Sequence, residues 1–324
     1  MRSILFNPSR IGRAPPIPFR FADKRFSPVE QAILRTVAYA DVFEYPLKMD
    51  EIHRYLIGYP AEIGEVRDAL ESGCLAPDYM KRKGDFYLLR GREQVAATRI
   101  RRTGFARKLW PKAEHYGRMI ARLPFVRMVA ITGSLVMDNI ENRTDIDYLV
   151  VAEPGRVWVC RAGIITLVRW AALKKVILCP NYILSANSLA LTQQNLYTAH
   201  ELAQMIPLSG MDIYERLRES NPWTEGYLPN AIGPPGSIIT KGEQPRSWPV
   251  IAGERLLGLK PGDWLENWEM HRKIVKLQRL HPDKAESDFC PDWCKGHFEN
   301  HGQKAMAAYQ RRLNRFSETR NQSG

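Results

Sequence analysis

Apolar residues recur every three to four positions from Pro28 to Phe43 (PVEQAILRTVAYADVF), which predicts an amphipathic helix. A second helix is expected over MDEIHRYLIG, with Asp50 as its N-cap and Gly58 as its stop. A third, AEIGEVRDALESG, ends at Gly73. The segment APDYMKRKGDFYLL then predicts two short strands around a turn at Lys83-Gly84-Asp85. A long helical stretch follows from Arg92 to Leu123, with a potential break at Pro111.

Three apolar runs come next and predict strands: FVRMVAITGS, DIDYLVVAE and KVILCPNYILSA. Between the second and third lies the apolar helix VWVCRAGIITLVRWAAL, residues 157–173. It is short for a membrane span and carries Arg161 and Arg169, so a buried helix and no membrane association are expected. SLALTQQNLYTAHELAQMI predicts a helix stopped at Pro207. Residues 221–249 are rich in Pro and Gly and read as a linker or extended wrap. PGDWLENWEMHRKIVKLQRL and KGHFENHGQKAMAAYQRRLNRF predict two further helices.

The expected fold class is therefore α+β, a mixed β-sheet flanked by helices, with a smaller N-terminal unit and a helical C-terminal region. The expected divisions are a flexible arm (1–26), a three-helix and hairpin unit (27–91), a core (92–215), a Pro/Gly-rich linker (216–250), a helical C-terminal region (251–316) and a disordered tail (317–324).

The chain of 324 residues has a formal net charge of +12, which suits an anionic partner such as a nucleotide, or else serves only as a soluble basic surface. Residues 92–123 hold nine Lys or Arg against two acids. Five cysteines (74, 160, 179, 290, 294) in no regular framework point to reduced thiols in a cytoplasm. The N-terminal stretch MRSILFNPSRIGRAPPIPFRF lacks the apolar segment and cleavage site of a secretory signal.

The chemistry concentrates in ITGSLVMDNIENRTDIDYLVV, residues 131–151. A strand alternates its side chains, so Asp145 and Asp147 project to one face. Two adjacent carboxylates repel each other, and a hard cation such as Mg²⁺, with phosphate as co-ligand, relieves this. Gly133 lets a ligand approach the backbone, and Ser134 offers a hydroxyl and an N–H to phosphate oxygens. An alternative makes Thr144 and Asp145 a polar turn at a strand start, with Asp147 capping a neighbouring helix.

Gly-Ser, ten residues, then D-x-D followed by apolar residues resembles the DNA polymerase beta-type nucleotidyltransferase superfamily, over roughly 93–215. The resemblance implies a core of that fold and a two-metal Mg²⁺ site held by Asp145 and Asp147. Gly133 and Ser134 would then bind the phosphates of a nucleoside triphosphate. It also implies transfer of a nucleoside monophosphate to a hydroxyl acceptor: a small molecule, a protein or a nucleic-acid end. Two positions depart from the family pattern. Asp138 stands where glycine is frequent. The third-strand position expected to carry a carboxylate holds Asn181, which can offer a carbonyl to a metal but cannot act as a base. Pro180 beside it suggests an edge strand or a bulge. The rival reading is a non-catalytic nucleotide-binding regulator lacking the third carboxylate.

Residues 27–91 resemble a winged helix-turn-helix. Its third helix carries Glu62, Glu65, Asp68 and Glu71 against Arg67, and that acidity would repel a DNA backbone. Sequence-specific DNA binding is therefore not expected, and a DNA-binding regulator is the weaker rival. Cys290, Cys294, His297 and His301 have a spacing that could ligate zinc, but ligands so close on one helical segment seldom close a tetrahedral site. His200 and Glu201 either reach the cleft or lie on a solvated helix face. Arg156 and Arg161 begin the helix after D-x-D and either meet phosphate or sit at the surface.

Overall fold

The computed structural model describes residues 25–75, 78–142, 144–236, 248–280, 289–295 and 301–322. The expected arm falls almost wholly outside these residues, but Phe26 is buried and packs edge-on against Tyr79. Helix α1 (Pro28–Asp41) starts at Ser27, which forms a capping box with Glu30 and is followed by proline. Helix α2 (Met49–Arg54) is capped at Lys48, where Glu51 accepts from the Lys48 backbone N–H, so Asp50 lies inside the first turn rather than at the cap. Helix α3 (Ile63–Glu71) exposes its acidic residues to solvent. Strands β1 (Met80–Lys83) and β2 (Phe86–Leu89) form an antiparallel hairpin around Gly84, which adopts φ 61°.

Helix α4 (Val95–Ala121) runs through Pro111 without the expected break. The main sheet follows: β3 (Val126–Thr132), β4 (Ile146–Ala152), β5 (Leu178–Ser185), β6 (Ile206–Ser209), β7 (Phe289–Cys290) and β8 (Trp293–Lys295). Its order is β6-β3-β4-β5-β8-β7, and β4 and β5 form a parallel pair within an otherwise antiparallel sheet. Helix α5 (Val157–Leu173) is the crossover between β4 and β5. Among the described residues no helix is long and apolar enough to cross a membrane.

The strand alternation divides the core into two layers. Val129, Ile131, Tyr148 and Val150 pack with α4 and α5 on one face. Met128, Ala130, Leu149 and Val151 pack on the other face with α1–α3, and with α6 (Leu196–Gln204), α7 (Met211–Glu219), α8 (Trp223–Tyr227) and α11 (His301–Gln322). The N-terminal helices thus share a continuous apolar core with the sheet. Asp145 and Asp147 are in phase with Leu149 and Val151, so they open toward the N-terminal helices.

Several expectations are corrected. The helix expected over 188–206 is confined to α6, because Asn195 caps it by accepting from Thr198 N–H at 2.9 Å. Pro207 lies in β6, which pairs only with β3 and so tolerates a proline. Within the Pro/Gly-rich stretch, Trp223, Tyr227, Leu228 and Ala231 are buried, so its first part is core; residues 237–247 lie outside the described residues. Helix α9 (Trp248–Leu257) and α10 (Lys260–Leu280) follow. The last helix begins at His301, and its backbone continues to Gln322, past the expected start of a disordered tail.

Part of the basic stretch from Arg92 to Arg122 is spent on ion pairs. Arg99 is buried and forks onto both carboxylate oxygens of Glu51 at 2.7 Å. Arg102 joins Glu44 and Glu141, and Arg92 meets Asp41 at 2.8 Å. These contacts fasten the N-terminal helices to the core.

Candidate functional site

A cavity of about 510 Å³ lies between α1, the start of β4 and α6. Gly133, Ser134, Asp145, Asp147 and Asn181, all singled out from the sequence, line it. Strand β3 ends at Thr132, opposite Asp147 in the antiparallel register, and the chain turns at once into a 3-10 turn, Gly133–Met137. Gly133 has φ 72°, and a Cβ there would lie 2.2 Å from Asp147 Oδ2. Only glycine fits between the turn and the carboxylate. The turn closes at Asp138, which adopts the left-handed region (φ 51°) that glycine most readily occupies. Trp110 Nε1 donates to its carboxylate at 2.7 Å and holds it there.

On the other side of Asp147 lies β5. The parallel register pairs Asp147 with Cys179 and Tyr148 with Pro180, then jumps to pair Leu149 with Tyr182. Asn181 is the extra residue of a bulge, as Pro180 suggested; β5 is nonetheless an interior strand, paired on its other side with β8. The bulge brings Cys179 and Asn181 together, with the thiol donating to Asn181 Oδ1 at 2.9 Å. Both side chains face Asp147 and favour its ionised form.

Burial dominates over that help. It pushes the Asp147 carboxyl up to about 8, with Asp145 and then Glu201 adding like charge. Burial, followed by the charges of Asp147 and Asp145, pushes the Cys179 thiol up to about 12. Asp145, Asp147 and Cys179 each offer a ligand atom, and these atoms lie within 4.8 Å of one another. Mutually repelling carboxylates against a glycine cradle fit a divalent cation. The carboxylates favour a hard ion, and the thiol adds a softer donor. Cys179 was not singled out as a ligand from the sequence, although its position two residues before Asn181 was the available signal.

The solvated face considered for His200 and Glu201 is ruled out, because both line the cavity. His200 is buried and stacks on Tyr39 with ring centroids 4.2 Å apart. Burial holds its pKa down at about 3, so it is neutral. Glu201 is half-buried on the cavity wall, and desolvation there raises its carboxyl to about 7. Its charge is felt at Asp147 and is the largest cause of the raised pKa of Tyr197. The cavity therefore gathers three carboxylates, one of them Glu201 of α6, for which the sequence left the cleft and a solvated helix face as alternatives.

Arg156 precedes the first residue of α5 and Arg161 lies on that helix, beyond the far end of β4 from Asp145. There Glu266 accepts from the Trp158 and Val159 N–H groups, and Arg156 pairs with Asp263 at 2.6 Å. The helix start is already occupied by a carboxylate, so neither arginine meets this site. Cys290 and Cys294 belong to the β7–β8 hairpin rather than one helical segment; His301 begins α11 and lines the cavity, and His297 lies outside the described residues. Thr144 does close a turn with Glu141, but Asp147 caps no helix among the described residues. No protein-family model matches the chain, and neither a curated protein nor a solved structure does.

Proposed function

We propose that this chain is a Mg²⁺-dependent nucleotidyltransferase of the DNA polymerase beta type, with a winged helix-like unit packed over its site. The observation that carries the reading is the convergence of Asp145, Asp147 and Glu201 on one cavity beside the Gly133–Ser134 turn. Asp145 and Asp147 would hold the cations. When bound, these cations neutralise the triphosphate and the departing pyrophosphate. Gly133 and Ser134 supply backbone N–H groups and a hydroxyl to phosphate oxygens.

The acceptor hydroxyl oxygen forms a bond to the α-phosphorus, and the bond from that phosphorus to the pyrophosphate oxygen breaks. Glu201 takes the hydroxyl proton and returns it to solvent. A carboxyl near 7 suits a general base at neutral pH. Asn181 is then a hydrogen-bonding neighbour of the site, and the third carboxylate comes from α6 instead of β5. Glu201 is the feature that favours an enzyme over a non-catalytic nucleotide-binding regulator. The acidic, exposed face of α3 argues against DNA reading by the N-terminal unit. The five free cysteines support a reducing, cytoplasmic setting.

The test is calorimetric titration with ATP, CTP, GTP and UTP in the presence of Mg²⁺, followed by transfer of an α-labelled nucleotide to acceptors in a cell extract. At least one triphosphate should bind only with the cation, and Asp145→Asn should abolish that binding. Cation-independent binding, or binding untouched by Asp145→Asn, would rule the assignment out.

A further inference from the structure

The cavity is lined by carboxylates and, close to them, by aromatic rings. Tyr39, Phe43, Tyr45, Tyr55 and Tyr197 line it, and its described lining residues include no Lys or Arg. Beyond the cations expected at Asp145 and Asp147, this lining holds no fixed positive charge for an anionic acceptor. Glu201 makes no hydrogen bond or ion pair among the described residues, although it is buried deep enough for desolvation alone to raise its pKa. A carboxylate on a cavity wall without a donor in its own chain is left for a ligand's donor. Aromatic rings present negative faces and attract cations, most strongly when water is excluded. A volume of about 510 Å³ holds a compact molecule and no folded macromolecule.

We infer that this cavity, with its carboxylates and rings, takes a hydroxyl-bearing organic cation, an ammonium alcohol, as the acceptor; this rests on the nucleotidyltransferase reading above. The hydroxyl meets Glu201, on the side of Asp145 and Asp147, and the ammonium lies against the rings. The N-terminal helices, through Tyr39 and Phe43, thereby become part of the acceptor pocket.

The experiment is calorimetry on the full chain with Mg²⁺ present, using choline and neohexyl alcohol, its uncharged carbon isostere. Choline should bind at least about tenfold more tightly than the isostere. Phe43→Leu keeps an apolar side chain at a partly exposed position and removes a ring face, so it should narrow that gap while leaving the isostere's affinity unchanged. Glu201→Gln should narrow it as well. Equal binding of the two probes, or no binding of either at millimolar concentration, overturns the inference. So does a Phe43→Leu variant that loses ATP affinity and keeps the preference for choline, because the rings would then serve the nucleobase. Titration with Mg²⁺ and ATP in the same series separates the two ideas. ATP binding without a preference for choline removes only the acceptor class. Absence of nucleotide binding removes the transferase reading and with it the acceptor role.

Discussion

The carboxylate of Asp147 occupies the space that any side chain at Gly133 would need, with Oδ2 only 2.2 Å from the position of a Cβ. Asp147 lies on β4 and Gly133 opens the turn after its antiparallel partner β3, and the left-handed backbone at Gly133 lets that turn close over the carboxylate. Gly133→Ala should therefore lose stability through backbone strain of about 1–2 kcal/mol, and further through displacement of Asp147. Thermal unfolding measures the first effect. Titration with Mg²⁺ measures the second, and unaltered cation affinity in this variant would show that the glycine does not shape the metal end of the cavity.

Asp147 makes the stability of the metal-free chain depend on pH. Its carboxyl is raised from 3.8 to about 8 in the folded state. The stability it contributes is therefore fully present below about pH 4 and is lost as pH rises through about 8. Asp147→Asn should remove that component on the order of a few kcal/mol, given the size of the shift. Saturating Mg²⁺ should flatten the same slope in the parent chain, since the cation replaces the proton. Denaturant midpoints measured from pH 4 to 8, with and without Mg²⁺, check both statements. Parallel profiles for parent and variant would contradict them.

Glu201→Gln keeps the shape of the side chain and removes its ability to take a proton. Nucleotide binding should persist, and the transfer rate should fall by roughly 10² to 10⁴. The rate of the parent enzyme should rise with pH as Glu201 ionises near 7, and that limb should vanish in the variant. A variant of undiminished rate would move the base elsewhere.

Asn181→Asp would add a further carboxylate to a position only 2 % exposed, beside Asp147 and facing the Cys179 thiol. If Glu201 supplies the third carboxylate as proposed, the variant should be less stable and no more active. A rise in transfer rate would instead restore β5 as the expected source of the base. Thermal unfolding and single-turnover rates together decide between these outcomes.

The sequence by itself determined the parts of this site that depend on local periodicity. Alternation along β4 put Asp145 and Asp147 on one face, the Gly-Ser pair marked the end of the strand beside them, and Pro180 left an edge strand or a bulge, of which β5 has the bulge. Apolar spacing likewise made α1 legible, and the turn around Gly84 made the β1–β2 hairpin legible. Asn195 held the signal for the start of α6, but apolar spacing upstream of it suggested a longer helix. The four residues of β6 carry a proline and too short a pattern to read as a strand; pairing with β3 is what makes them one. Tertiary packing alone decided the role of Glu201 and the aromatic wall. On an isolated helix Glu201 would be a solvated acid, and Tyr39 and Phe43 would be ordinary residues of a small helical unit. They face Asp147 across one cavity because α1 and α6 pack on the same side of the sheet, held by long-range contacts such as Tyr39 on His200 and Arg99 on Glu51. Contacts of that sequence separation leave no trace in the local hydrophobic pattern, so only the fold decided between the cleft and a solvated face for Glu201.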